Sequence, residues 1–98
     1  MLEFRFQTEV IHWRGPSPFF FGTVPSETAA SIAEAARQVS YGWGMIPVDV
    51  TIGEIEFYTA LFPKDGGYLL PLKDVVRRKT GLTVNDSAEV KIVLRARR

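Results

Sequence analysis

"GGYLLPLKDVVRRKTGL", residues 66–82, packs a turn, a strand, a proline, a helix and a glycine stop into one short stretch. "PKDGG" (63–67), with proline first and then Asp-Gly-Gly, carries the turn. "YLL" (68–70) reads as a short strand. Pro71 stands at the mouth of a helix, "LKDVVRRKT" (72–80), where its missing N–H costs little. Leu72, Val75 and Val76 are expected to form the buried stripe of that helix. Asp74 is placed to pair with Arg78 one turn on, and Gly81 to cap the C-terminus. Such dense punctuation marks a corner, where the chain leaves one strand, covers an opening with a helix and re-enters a sheet.

The same corner occurs earlier. "TVPSETAAS" (23–31) aligns with "LLPLKDVVR" (69–77) without a gap: strand end, proline, three residues, then two small or branched apolar side chains. In the first copy Ser26 is the expected N-cap, and Glu27 in the first turn favours the helix dipole. Ala29, Ile32, Ala33, Ala36 and Val39 give that helix a narrow small-residue face, with Gly42 as its cap. Strand, strand, helix and strand surround each corner. The chain therefore reads as two pseudo-symmetric ββαβ halves, about 1–52 and 54–98, meeting at Gly53. Neither half buries a sheet face alone; two close into a barrel about a pseudo-twofold axis.

The strands carry the period-2 alternation this requires. "LEFRFQTEVIHW" (2–13) places Leu2, Phe4, Phe6, Thr8, Val10 and His12 on one face. "FFFGTV" (19–24) is rich in aromatics, and Gly22 implies a bulge or a close backbone approach. "IPVDVTI" (46–52) directs Val48, Val50 and Ile52 inward, and Gly53 permits a tight hairpin into "EIEFYTALF" (54–62), with Ile55, Phe57, Thr59 and Leu61 inside. "SAEVKIVLRARR" (87–98) buries Ala88, Val90, Ile92 and Leu94. The expected fold is a mainly β, double-split barrel spanning 1–98 as one domain, capped by two short helices.

Composition bounds the function. With no cysteine, disulfides, thiolate nucleophiles and cysteine zinc sites are excluded. No apolar run approaches the ~20 residues of a membrane-spanning helix. The N-terminus lacks the basic-then-apolar order of a signal peptide, so a cytoplasmic address is expected and no membrane partner. The net charge of +1 hides an asymmetry: residues 1–72 hold four basic and eight acidic side chains, residues 73–98 eight basic and three acidic. Neutralisation of one half by the other across neighbouring strands accounts for it better than steering of an anionic partner.

The stretch from Val48 to Leu94 resembles a bacterial family, domain-of-unknown-function family 1905. The carrying features are the "TIG" hairpin (51–53), "TALFP" (59–63), "GGYLLPLKDVVRRKTGL" (66–82) and the "VND" turn (84–86), where Asn85-Asp86 replaces the family's usual glycine-aspartate. Coverage is nearly the full chain, with the C-terminal half the more specific. The resemblance implies a double-split β-barrel, an architecture shared with AbrB/MazE-like transcription regulators. It implies no chemistry.

Candidate sites are few. The single histidine, His12, reads as a hydrogen-bonded residue at the core edge rather than a general base. Histidine-pair metal motifs are absent, Glu54 and Glu56 read as a solvated strand face, and "GTVPSET" (22–28) is neither a P-loop nor a nucleophile elbow. No catalytic residue, metal or cofactor is assigned. Aromatic side chains gather at strand ends and loops, where they either line a pocket mouth or plug the barrel. Trp13, Trp43, Tyr68 and Arg77 are the candidate contacts of a non-catalytic module recognising a small ligand or a peptide. The rival is a nucleic-acid-binding regulator using Lys91, Arg95 and Arg97 of the basic last strand. It is disfavoured because the likeness to regulators is one of fold, and fold does not carry function. Monomer and weak homodimer are both open, with Ile11 and Val93 as exposed contact candidates.

Overall fold

A computed structural model of the protein describes residues 2–13, 19–38 and 45–95, with the side chains of all but Phe19 and Gln38. Two hairpin turns set its registers. At the first, β3 (Ile46–Ile52) and β4 (Ile55–Lys64) pair through Ile52 and Ile55, leaving Gly53-Glu54 as a two-residue loop. Gly53 alone of the two has a positive φ, +60°, the II′ arrangement whose twist matches the flanking strands. At the second, Lys64 faces Gly67 at the start of β5 (Gly67–Pro71), and Asp65-Gly66 turns with φ of 52° and 81°, the I′ form. The turn is thus tighter than the predicted "PKDGG", because β4 runs on through Pro63 and Lys64. Pro63 is tolerated there because it is paired on one side only, with Tyr68 of β5, while the β3 pairing stops at Ile46 opposite Leu61.

With β1 (Glu3–Trp13), β2 (Phe19–Thr23) and β6 (Ser87–Leu94), the strands close a six-membered barrel in the order β1-β2-β5-β4-β3-β6. Every neighbouring pair is antiparallel. Helix α1 (Ser26–Gln38) follows β2 and α2 (Asp74–Thr80) follows β5. Exchanging β1 with β4, β2 with β5 and β3 with β6 returns the same list of neighbours. Thr23 and Leu69, equivalent in the internal alignment, face each other directly across the β2–β5 seam. A closed barrel of two like-ordered ββαβ halves is the expected architecture.

The inward positions form one core. Phe6, Val10, Val48, Val50, Leu61, Leu70, Val90, Ile92 and Leu94 are buried, and Ile32 and Val76 enter from the helices. The α1 face of Ala29, Ile32 and Ala36 is buried as its spacing predicts; Val39 and Gly42 lie outside the described residues. Its N-cap, however, is one residue earlier than Ser26: Ala29 N donates to Pro25 O at 2.8 Å.

Three further expectations need correction. Helix α2 begins at Asp74, not Leu72. Leu72 lies before the helix and is still buried, so the stripe phased on it fails, and Val75 is 47% exposed while Val76 is buried. Asp74 pairs with Arg77 rather than Arg78. Gly81 does cap the helix, its N–H reaching Arg77 O at 2.8 Å. Lastly, His12 has the predicted inward parity, opposite Phe20, yet is exposed. The pairing of β1 with β6 reaches only Glu9 opposite Ser87, whereas β1 continues along β2 to Trp13 opposite Phe19; β5 joins β2 only from Phe21, so the last two β1–β2 pairs run on as a two-stranded ribbon.

Candidate functional site

That ribbon end gathers polar and aromatic groups on both faces. On the face continuous with the barrel interior, the His12 ring lies 4.8 Å from that of Phe20, tilted by 31°. On the opposite face Trp13 meets Phe21 at 5.6 Å and Phe62 edge-on at 6.0 Å, and Lys64 Nζ stands 4.4 Å above the Trp13 ring. A cation over an indole face is attracted by the ring quadrupole. Consecutive residues 12 and 13 thus present different chemistry to the two sides, as strand alternation requires.

Helix α2 completes the inner face. Leu72 N donates to Phe20 O at 2.9 Å, which docks the entry to the helix on the start of β2. Val76 anchors the next turn in the core, and the adjacent Arg77 lies over Phe20: its guanidinium carbon is 3.6 Å from the ring centroid. Nη2 donates to Asp74 Oδ1 at 2.6 Å. Nε is buried and has no hydrogen-bond acceptor among the described residues. Most buried polar groups are paired, and leaving a charged donor unpaired costs more than leaving a neutral one. The Arg77 side chain as a whole keeps 22% of its surface, so its outer nitrogens remain reachable. A guanidinium carries donors only, so what this arrangement can offer a partner is hydrogen bonds to an acceptor.

The predicted ligand contacts divide. Arg77 belongs to the Phe20 cluster, Trp13 lies on the far face of the same ribbon, and Tyr68, half-buried opposite Pro63, packs against the core. Trp43 lies outside the described residues. Phe20 and His12 are not among the site residues picked from sequence. The signal was available in the hairpin register, which sets His12 opposite Phe20, but the arrival of Arg77 depends on a contact between the two halves.

The basic last strand is differently occupied. Arg95 grips Asp49 through both ends of one guanidinium edge, Nε to Oδ2 at 3.1 Å and Nη2 to Oδ1 at 2.9 Å, and stacks 4.4 Å over Tyr58. Lys91 stands between Arg5 and Thr51 on the outer face of the sheet, in a row ending at Glu56. Arg97 is outside the described residues. Asp49 belongs to the first half and Arg95 to the second, so here opposite charges do meet across strands. Among the described residues no three His, Asp or Glu side chains converge as a metal site would require.

A family model described as "Domain of unknown function (DUF1905)" matches residues 6–92. The match spans the barrel from Phe6 in β1 to Ile92 in β6 and includes Trp13, Phe20 and Arg77. No curated protein matches the chain.

Proposed function

The chain belongs to the DUF1905 family, whose description names no activity, and on that footing we propose that it is a non-catalytic binding module. It receives a small ligand or a peptide segment at the end of the β1–β2 ribbon, where Arg77, Phe20 and His12 meet. The observation that carries this reading is the Arg77 guanidinium, held against an aromatic ring with a donor nitrogen that has no acceptor among the described residues. Stacking fixes the plane of the cation before any ligand arrives, which lowers the ordering cost of binding. Trp13 and Lys64 on the reverse face extend the surface available to a longer peptide.

The rival reading has less support. Arg95, its central residue, is already committed to Asp49 and Tyr58. A cytoplasmic location remains the expected setting for either module; the described residues contain no helix long and apolar enough to cross a membrane.

A thermal-shift screen of small polar metabolites and short peptides tests the proposal on the wild type and on Phe20→Leu. Leucine keeps apolar volume beneath Arg77 but removes the ring. Ligands that stabilise the wild type are expected to lose most of that effect in the variant. If every ligand stabilises both proteins equally, the ribbon end is not the site.

A further inference from the structure

Two arginines in this protein use the same guanidinium edge in different ways. The Nε–Nη2 edge of Arg95 is filled by one carboxylate, with Asp49 accepting at both nitrogens. The equivalent edge of Arg77 is half-filled: Asp74 accepts from Nη2 and, among the described residues, nothing accepts from Nε. A planar carboxylate has two oxygens at the spacing of that edge, and the fork-to-fork arrangement is the stronger one. Asp74 sits three residues before Arg77 on the same short helix, and its side chain is 76% exposed. From there it reaches one nitrogen only.

We infer that Arg77 is the anchor for a ligand carboxylate, and that Asp74 occupies part of that anchor in the free protein as a tethered, replaceable competitor. This rests on the ribbon-end reading above and adds the chemical class of the ligand. An incoming carboxylate first takes Nη2 from Asp74, which swings into water at little cost since exposed ion pairs of this kind contribute weakly, and then closes on Nε, which is buried in the free protein. Phe20 holds the guanidinium plane throughout, and His12, exposed on the same ring, borders the approach. A neutral amide offers one acceptor oxygen and no charge and is a poor substitute. The preference is therefore for carboxylates over their amides.

The test uses the whole chain with acetate as the probe and acetamide as the control. Nuclear magnetic resonance reads the Nε–H signal of Arg77, assigned by its absence in Arg77→Lys. Acetate is expected to shift that signal in a saturable way and acetamide to leave it in place. Asp74→Asn removes the competing charge from an exposed position and should tighten acetate binding about two- to fivefold, the range an exposed pair is worth. Asp74→Ala should do the same. Arg77→Lys, which keeps the charge but not the fork, should abolish the saturable shifts that acetate produces in the backbone amide signals of α2. An Nε–H signal that acetate does not move overturns the inference, as does an acetate affinity indifferent to both Asp74 variants. Neither result touches the broader reading, which stands or falls on the Phe20→Leu ligand screen.

Discussion

Thr8 and Gly22 meet inside the barrel with no space for a methyl group between them. A Cβ placed on Gly22 would overlap Thr8 Oγ1 and come within 3.5 Å of Thr8 Cβ. Thr8 is a buried polar residue, 1% exposed, and its hydroxyl is spoken for, donating to Thr23 O at 2.7 Å. Thr23 Oγ1 in turn accepts from Glu9 N at 3.0 Å. The two strands are therefore tied at this point by side-chain bonds as well as by their ladder, and the glycine is what lets the threonine sit there.

Gly22→Ala is expected to destabilise the protein by about 1–3 kcal/mol through overpacking. Thr8→Ala on its own loses the bond to Thr23 O. Combined, the substitutions relieve the clash, so the double variant should be more stable than the sum of the singles predicts, with a coupling of about 0.5 kcal/mol or more. Urea denaturation of the four proteins measures it. Strict additivity would show that the strands part instead.

The two adjacent valines of α2 separate burial from hydrophobicity. Val76 is 5% exposed and Val75 47%. Val76→Ala should cost about 2 kcal/mol, a fall in Tm of roughly 8–16 °C for a domain this size. Val75→Ala should be neutral or slightly stabilising, because alanine is the better helix former. Equal losses at both positions would mean that α2 is rotated from the orientation described.

That contrast also shows where sequence reading stopped. The barrel was legible because its causes are local: alternation in each strand, glycine turns, and two proline corners that align without a gap. The alignment does not extend into the helices. Helix α1 begins at the residue after Pro25, whereas α2 begins three residues after Pro71. A stripe counted from Leu72 as a helical residue is accordingly out of phase. His12 failed for another reason: its parity was right, but β1 outruns β6, and burial depends on where a neighbouring strand ends. Arg77 stands out in the sequence by its charge beside Val76. Its ring partner Phe20 comes from the other half of the chain, through a hydrogen bond at the corner that no local pattern encodes.

The seam between the halves turns on Gly53. Its φ of +60° costs an L-residue about 1–2 kcal/mol, and no atom of the described residues lies within 4 Å of where a Cβ would stand, so the penalty is one of backbone alone. Gly53→Ala should lower stability by that amount, while Glu54→Ala, at the other exposed loop position, should leave it nearly unchanged. Equilibrium denaturation of both variants checks the difference. A silent Gly53→Ala would place the turn in another class.

The basic C-terminal strand makes the last case. Phosphate binding needs cations that release counterions on contact, and each such contact steepens the dependence of log affinity on log salt by about 0.9. Arg95 is held bidentately by Asp49 and stacked on Tyr58, so DNA would first have to break those contacts. Wild-type protein titrated with duplex DNA at two salt concentrations is expected to show no binding with a steep salt slope, and Lys91→Ala with Arg95→Ala to change nothing in that assay. The same pair of substitutions should lower stability by no more than about 1 kcal/mol, since the Arg95–Asp49 pair is half-exposed on both sides. Tight binding at low salt whose slope flattens in the double variant would return the strand to the role of a nucleic-acid surface. In that event Asp49→Asn, which removes the carboxylate that Arg95 grips, should bind DNA more tightly still; a ligand-binding module with a structural Arg95 shows no such gain.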